Sequence, residues 1–467
     1  MKRAITCAAL IALATLDMSP LRAQSPAVPS DAEIRQILAD RIDRDRQSVG
    51  IVVGVIDAGD ARNRRVITFG SLERGDSRPL TGDTIFEIGS VTKVFTSLLL
   101  ADMVQRGQVT LTDPVAKYLP PDVKVPERNG RAITLQDLAT HTSGLPRLPT
   151  NFMPKDPANP YADYSFAQLY QFLSTYTLAR DIGSRYEYSN LGGGLLGHVL
   201  ARRAGMEYEA LVRSRITGPL AMTSTSITLS ADQQRRLAVG HNDRLAPVPN
   251  WDLPTLAGAG AFRSTANDML TFVAANLGAT PSPLASAMRA MLTDRRPTGM
   301  PGLDVALAWH VFTRNGDNLI WHNGGTGGYR SFIGFRPATK VGVVVLSNTS
   351  TLAGIDDIGL HVLDARLPTM LPPKPHTEIT VDPNLFDGYV GAYQLAPNFV
   401  LTVTREANRL FVQATGQPKF EIFAEATTEY FFKAVDAQLS FVTNASGQAT
   451  AVILHQSGAN VTGQRIN

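Results

Sequence analysis

Cysteine is almost absent from this chain of 467 residues, and Cys7 is the only one. A single cysteine excludes an internal disulfide and a metal site built from several thiolates. Charge of one sign is also scarce, because 44 basic and 41 acidic side chains leave a formal net charge of +3. This balance gives no electrostatic reason to expect nucleic acid or an anionic membrane as a partner.

The N-terminal segment has the features of an export signal. Two basic residues precede an apolar run at residues 4–16, and residues 21–23 end on the small residue that a signal peptidase needs. The run is too short to span a bilayer, and the alternative is an unusual buried first helix. We expect residues 1–23 to be removed together with Cys7. The mature chain would then be a periplasmic or secreted protein with no thiol and no integral membrane segment.

The order of strand and helix patterns predicts a first domain over residues 31–368. A capping box opens a helix that should run from residue 31 to about residue 47. The expected strands, which are dense in β-branched and aromatic residues, lie at 49–56, 66–69, 319–322, 329–335 and 341–347. Helical patterns fill the middle of the chain, and the late strands can rejoin the first pair. The pattern therefore predicts an α/β (α+β) fold, an antiparallel sheet flanked by helices.

A proline-rich linker at residues 369–378 precedes a different pattern. Beyond it, short strand patterns follow one another closely, at residues 399–404, 410–414, 420–423, 430–432, 439–442 and 451–454. Short strands at this spacing predict a small all-β, barrel-like domain over residues 379–467. Its sequence carries no nucleophile, metal-ligand cluster or phosphate loop, which favours a structural or substrate-shaping role.

Ser90 and Lys93 form the pattern that carries the most chemistry. They stand one helical turn apart, directly after a strand pattern and a glycine, and residues i and i+3 of a helix share a face. A desolvated lysine amine can accept the proton of a serine hydroxyl. The spacing predicts an activated nucleophile, although Ser-x-x-Lys also occurs by chance at the start of surface helices.

Tyr188 and Asn190 suit the same chemistry. A nearby ammonium can stabilise a phenolate so that it acts as a base, and an amide can hydrogen-bond both a lysine and a substrate carbonyl. The glycines at residues 192–194 predict a turn directly after them. Alone, Tyr-x-Asn is more typical of an ordinary turn.

His322, Gly324 and Gly325 follow the pattern of a late strand. Glycines there would let a substrate approach the backbone, and a free backbone N–H could bind an oxyanion. Alone, this pattern is more typical of a loose hairpin with a surface histidine.

In this order along the chain, the three patterns resemble those of the penicillin-recognising serine hydrolases. That family includes class C β-lactamases, D-Ala-D-Ala carboxypeptidases and related esterases. The similarity extends over residues 31–365 and is strongest in four segments, at residues 86–93, 107–114, 138–146 and 258–265. The C-terminal part resembles the lipocalin-like β domain found behind some family members.

The resemblance implies a set of roles. Ser90 would be the nucleophile that forms an acyl-enzyme, and Lys93 and Tyr188 would handle its proton. The backbone N–H groups of Ser90 and Gly325 would form the oxyanion hole, and Asn190 would hold an amide of the substrate. No metal or organic cofactor is implied. The expected activity is β-lactam hydrolysis; a D-Ala-D-Ala carboxypeptidase, D-aminopeptidase or esterase and a non-turnover penicillin-binding protein are the alternatives.

Two departures from the family pattern weaken β-lactam recognition. His322 stands where the β-lactamases usually carry a lysine, and Leu148 stands where class C enzymes place a glutamine that contacts the substrate amide. A protonated His322 could replace the lysine as the partner of a substrate carboxylate, which would make activity fall as the pH rises. Arg330 is a second candidate for this charge.

Overall fold

The structure is a computed structural model, and it describes most of residues 28–466. The residues within that span that it does not describe are 58–59, 61–62, 315, 352–353, 370–375, 397–398, 416, 418, 434–436 and 457–458. The expected export signal with Cys7 and most of the expected linker lie outside the described residues. None of the helices in the described part is long and apolar enough to cross a membrane.

Before residue 370, helices alternate with strands. The helices are α1 (Asp31–Ala39), α2 (Thr92–Gln105), α3 (Leu135–Ala139), α4 (Phe166–Thr175), α5 (Asn190–Ala204), α6 (Tyr208–Val212), α7 (Ala231–Arg235), α8 (Ala257–Gly260), α9 (Ala266–Asn276), α10 (Ala285–Ala290) and α11 (Asp356–Leu363). The strands are β1 (Gly50–Ile56), β2 (Arg64–Gly70), β3 (Ile85–Glu87), β4 (Glu127–Arg128), β5 (Arg131–Ala132), β6 (Arg263–Thr265), β7 (Arg296–Pro297), β8 (Leu303–Val305), β9 (His310–Arg314), β10 (Asp317–Gly325), β11 (Arg330–Arg336) and β12 (Val341–Ser347).

Eight of these strands form one antiparallel sheet in the order β2-β1-β12-β11-β10-β9-β8-β7. The late strands therefore rejoin the first pair, as the sequence predicts. β1 and β12 are buried along their whole length because one apolar core lies on each face of the sheet. α2, α5 and α9 belong to the larger core, and α1 and α11 pack on the other face. Burial on both faces explains why β1 and β12 read as continuous apolar runs.

The first helix is shorter than expected. α1 has the predicted capping box at Ser30 and Glu33, but it ends at Ala39 and a π-helical turn, Asp40–Arg44, replaces the rest of it. Helical backbone therefore extends from residue 31 to Arg44, three residues short of the expected end near residue 47. In that turn Arg41 is buried and donates to Asp357 on α11 at 2.5 Å, so a tertiary ion pair holds the altered geometry.

The C-terminal part is a closed antiparallel barrel. A short helix, α12 (Phe386–Tyr389), leads into its strands, which are β13 (Gly391–Ala396), β14 (Phe399–Glu406), β15 (Arg409–Ala414), β16 (Lys419–Ala424), β17 (Glu429–Phe432), β18 (Ala437–Thr443), β19 (Ala449–Gln456) and β20 (Ala459–Arg465). All six predicted strands are present. β13 and β20 escaped prediction because glycine and polar residues break their apolar alternation. Their pairing closes the barrel around a core that includes Tyr393, Tyr430 and Phe441.

Close packing of α11 on the sheet generates a stability prediction. A Cβ added at Gly359 would lie 2.2 Å from Phe332 Cδ1 on β11. We expect Gly359→Ala to destabilise the protein by about 1–3 kcal/mol, the usual cost of overpacking, and so to lower its Tm by several degrees. Gly260→Ala is the matched control, since its Cβ would meet Leu253 at an ordinary 3.5 Å. A Tm for Gly359→Ala as high as that of the control would contradict the prediction.

Candidate active site

Ser90 is presented by a tight turn between β3 and α2. Gly89 has a φ of +48° and opens a 3-10 turn over Gly89–Val91. Ser331 on β11 donates through its hydroxyl to the Ile88 carbonyl at 2.7 Å, and the Ile88 N–H donates to the Phe262 carbonyl at 3.0 Å. The turn is therefore held from both sides.

The end of β10 lies directly against this turn. A Cβ at Gly324 would stand 2.1 Å from the Ile88 carbonyl oxygen and 3.0 Å from the Ser90 nitrogen, and one at Gly89 would stand 2.7 Å from the Gly325 nitrogen. Only glycine permits this approach. The backbone nitrogens of Ser90 and Gly325, which the family resemblance implies as an oxyanion hole, thus lie close to each other.

The amine of Lys93 is enclosed by three oxygen atoms. Its Nζ lies 3.0 Å from Ser90 Oγ, 2.9 Å from Asn190 Oδ1 and 2.7 Å from the carbonyl oxygen of Ala259. Lys93 is 2% exposed. Burial lowers its pKa well below the usual value, and the positive charge of Arg147 lowers it further.

Lys93 Nζ donates to all three oxygens, and its lowered pKa makes the neutral amine accessible. The carbonyl oxygens of Asn190 and Ala259 can only accept hydrogen bonds, so they take the two N–H groups that a neutral amine has. In the neutral form the lone pair faces Ser90 Oγ, and the Ser90 hydroxyl becomes the donor of that hydrogen bond. In this state Lys93 can receive the hydroxyl proton of Ser90.

Tyr188 lies on the other side of the pair. Lys93 Nζ is 4.8 Å from the centroid of its ring, and the ring packs on that of His141 with centroids 4.5 Å apart. Burial raises the pKa of Tyr188 although a hydrogen bond with Ser90 opposes the shift. Burial thus shifts the two pKa values in opposite directions, and in each case it favours the uncharged form of the side chain.

His141 is a positioning residue that the sequence motifs did not single out. It is buried, has a left-handed φ of +57°, and its Nδ1 accepts the Ser189 N–H at 3.1 Å. Its carbonyl accepts the Glu187 N–H at 2.8 Å. The residues on both sides of Tyr188 are therefore hydrogen-bonded to His141, which fixes the backbone that carries the tyrosine.

Asn190 begins α5, so the predicted glycine turn at residues 192–194 was wrong. Ser189 caps the helix by accepting the Gly192 N–H at 2.8 Å. A Cβ at Gly193 would lie 3.0 Å from Lys93 Cε. The glycines let the helix pass close to the lysine chain, and this tertiary contact outweighs their low helix propensity. Asn190 Nδ2 also donates to the Tyr161 hydroxyl at 3.0 Å.

His322 lies behind the cavity wall. It is fully buried on β10, its ring centroid is 6.3 Å from that of Tyr188 and 5.3 Å from that of His310, and its Nδ1 donates to the Asn323 carbonyl at 2.6 Å. Burial, with the charges of neighbouring groups, lowers its pKa well below the usual value. The idea that a protonated His322 binds a substrate carboxylate does not fit these surroundings.

A cavity of about 720 Å³ opens over Ser90. Asn190, Leu148 and Tyr161 line one wall, and Arg330 and Asn323 line the other. Arg330 Nε donates to the Thr351 carbonyl at 3.1 Å. Its Nη1 stands 2.1 Å from where a Cβ on Gly325 would lie, so this guanidinium lies beside the candidate oxyanion hole.

Two further charged residues line this cavity, and sequence reasoning missed both. The guanidinium carbon of Arg147 is 5.2 Å from the centroid of the Tyr188 ring. Asp356 reaches the cavity from the start of α11. No local motif marks either residue, since only the folded chain brings them to Ser90.

Comparisons with known proteins agree with this geometry. The family model described as Beta-lactamase matches residues 31–365, and one described as a domain of unknown function (DUF3471) matches residues 375–467. The D-alanyl-D-alanine-carboxypeptidase/endopeptidase AmpH of Escherichia coli K12 is 32% identical over 395 residues, which cover 80% of this chain and all of that protein. A β-lactamase of the same strain is 27% identical over 64% of this chain and 84% of its own length. A solved structure described as a Beta-lactamase/D-alanine Carboxypeptidase from Yersinia pestis, complexed with citrate, has a TM-score of 0.61 and 28% identity, covering 72% of this chain and 98% of that one.

Fold and relatives together define the protein as a serine hydrolase. More narrowly, the chain belongs to the β-lactamase family, whose model spans most of its length.

The environment of His322 generates a titration prediction. We expect its imidazole to remain neutral from pH 8 down to pH 6, because burial disfavours the charged form. The measurement is the NMR chemical shift of its ring protons against pH, with the signal assigned by its loss in His322→Gln. Protein unfolded in urea is the control and should titrate near pH 6.5. A midpoint near 6.5 in the folded protein would contradict the prediction.

Proposed function

We propose that the protein is an exported hydrolase that cleaves an amide bond through an acyl-enzyme at Ser90. Its substrates carry a carboxylate next to the scissile bond, as D-alanyl-D-alanine peptides and β-lactams both do. The observation that carries the proposal is the enclosure of Lys93, whose buried Nζ lies 3.0 Å from Ser90 Oγ and whose pKa burial lowers well below the usual value.

In the acylation step, Ser90 Oγ attacks the substrate carbonyl as its proton passes to Lys93. The carbonyl oxygen becomes an oxyanion between the N–H groups of Ser90 and Gly325, each worth a few kcal/mol of transition-state stabilisation. The C–N bond then breaks, and the proton returns from Lys93, with the phenol of Tyr188 as relay, to the departing nitrogen. Asn190 holds an amide on the acyl side.

Deacylation uses the same groups with water as the nucleophile. The neutral amine of Lys93 takes up a proton from the attacking water, with the phenol of Tyr188 as relay, while the oxyanion hole holds the ester carbonyl. The proton then returns to Ser90 Oγ as the acid leaves. Because these groups act as one unit, their individual contributions are not additive.

The substrate carboxylate is assigned to Arg330 and not to His322. Arg330 lines the cavity beside Gly325 and carries a permanent charge, whereas His322 is buried and neutral. A guanidinium can bind a carboxylate through two parallel hydrogen bonds. Gly324 keeps β10 close enough to the turn for both substrate ends to be reached from Ser90.

Of the two amide substrates, we rank D-alanyl peptides first. Leu148 offers the cavity an apolar side chain, where class C enzymes are expected to carry an amide, and a relative at 32% identity is named a D-alanyl-D-alanine-carboxypeptidase/endopeptidase. β-Lactam hydrolysis, which the sequence analysis ranked first, is the second candidate, supported by the relative named β-lactamase. A protein that binds penicillin without turnover is less consistent with two proton-handling groups at Ser90.

We also propose the division of the chain. Removal of residues 1–23 would export a hydrolase domain over residues 31–368, joined by a linker at residues 369–378 to a lipocalin-like barrel over residues 379–467. The apolar run and the small residue at position 23 support a periplasmic or secreted location. The packed aromatic interior of the barrel supports a structural role.

The reaction is tested by turnover and intact mass together. A D-Ala-D-Ala peptide should release D-alanine faster than a chromogenic cephalosporin is opened, and a short nitrophenyl ester should report acylation. Ser90→Ala should lose at least about a thousandfold in each activity. Ser97→Ala, a buried serine of the same helix, should retain activity. A stable mass adduct without turnover would indicate the non-turnover alternative, and activity in Ser90→Ala would refute the assignment of the nucleophile.

The role of Arg330 is tested with a peptide pair that differs only in a C-terminal acid or amide. We expect Arg330→Gln to lower kcat/KM for the acid by roughly a hundredfold, since an ion pair to the substrate is lost, and to change the amide little. Arg147→Gln removes the cation of the opposite wall and should leave the ratio of acid to amide unchanged. If the acid-to-amide ratio of kcat/KM changed equally in both variants, the effect would come from the overall positive charge of the cavity, and the assignment of a carboxylate site to Arg330 would be contradicted.

A further inference from the structure

Asp356 is a cavity residue for which the proposed reaction has no use. It is the first residue of α11, it is partly buried, and it lines the same cavity as Ser90 and Arg330. Its Oδ2 accepts a hydrogen bond from Asn323 Nδ2 at 2.5 Å. The protein therefore holds a carboxylate of its own on the wall to which the substrate carboxylate is assigned.

The surroundings of Asp356 contain few charges. Arg330 on β11 attracts it, and Asp357 on its own helix repels it. Asp357 is in turn paired with Arg41, on the turn after α1, at 2.5 Å. Within the described residues no direct ion pair joins Asp356 to Arg330, so Arg330 keeps hydrogen-bonding capacity for a ligand while it feels the negative charge beside it.

We propose that Asp356 is a specificity-determining residue that competes with the substrate carboxylate for Asn323 and Arg330. The inference rests on the proposed function, because it requires a substrate whose scissile carbonyl lies over Ser90. An ionised Asp356 occupies the Asn323 amide, partly neutralises Arg330 and repels an incoming anion. A protonated Asp356 can still accept from Asn323, but it neither neutralises Arg330 nor repels an anion, so the same wall then accepts a carboxylate.

The sign of the pH dependence follows from the titration of Asp356. Burial raises the pKa of this carboxyl to about 6, although Asn323 and Arg330 oppose the shift. The terminal carboxylate of a peptide has a pKa near 3.5, so it is ionised throughout the range from pH 5 to pH 8. Acid substrates should therefore lose preference as the pH rises through about 6, and neutral substrates should not.

The test uses the peptide acid and its C-terminal amide, with the full-length mature enzyme. The ratio of their kcat/KM values cancels the titration of the groups around Ser90, which act on both. In the wild type this ratio should fall roughly tenfold between pH 5 and pH 8. In Asp356→Asn, which is close in shape and can still accept from Asn323, the ratio should be flat and, at pH 8, roughly tenfold above that of the wild type, a difference of about 1.4 kcal/mol. The higher kcat/KM of Asp356→Asn for the acid peptide should come from a lower KM, with kcat little changed.

Asp252→Asn is the matched control. It removes the same charge from an exposed position next to Trp251, which also lines the cavity, and its profile should follow the wild type. A wild-type ratio that does not change with pH would overturn the inference even if Asp356→Asn failed to fold, and so would a variant profile that matches the wild type. A wild-type enzyme that hydrolyses neither peptide would overturn the proposed function itself. Failure of the inference about Asp356 is therefore distinguishable from failure of the proposed function.

Discussion

The burial of one amine is the constraint on which the rest of the site depends. Removing a lysine from water costs several kcal/mol if it stays charged, and among the described residues no carboxylate pairs with Lys93, whose partners are the Ser90 hydroxyl and two carbonyl oxygens. The neutral form removes most of that cost. The same desolvation that would destabilise a charged lysine therefore gives the protein a base next to Ser90, and the two other acceptors fix where its lone pair points.

That burial is produced by helices packed around the lysine chain. α5 can approach because Gly193 has no side chain, and α8 supplies the Ala259 carbonyl. The sheet acts on the other partner, since Ser331 and Gly324 hold the turn that carries Ser90. The nucleophile belongs to the contact between sheet and helices, and its base belongs to the contact among helices. A longer distance at either contact would separate Ser90 from Lys93. Both contacts need a close backbone approach, and a glycine stands at each of them, Gly324 at the first and Gly193 at the second.

The parts of this structure that sequence could predict are those set by local pattern. Ser90 and Lys93 share a helical turn, so their proximity could be predicted without tertiary information. The β-branched runs of β1 and β12 predict buried strands in the same way. The helix at Gly193 was missed because propensity argues for a turn there, and only contact with Lys93 reverses it. The protonation of Lys93, Tyr188 and His322 was left open for the same reason, since depth of burial decides each pKa and no local pattern records depth.

The charges of the cavity follow from the same reasoning. His322 stands where the family lysine would be, and burial deprives it of charge, so a cation must reach the site from elsewhere. In the proposed function Arg330 supplies it from the neighbouring strand, where it lines the cavity over Ser90. An arginine that serves this role cannot be deprotonated to tune its affinity. Asp356 can titrate in its place. In our proposal, the group whose protonation changes the affinity for the substrate carboxylate is therefore Asp356, not Arg330, which binds that carboxylate. On this proposal, the exchange of lysine for histidine on β10 places the charge on the neighbouring strand β11 and its regulation on α11.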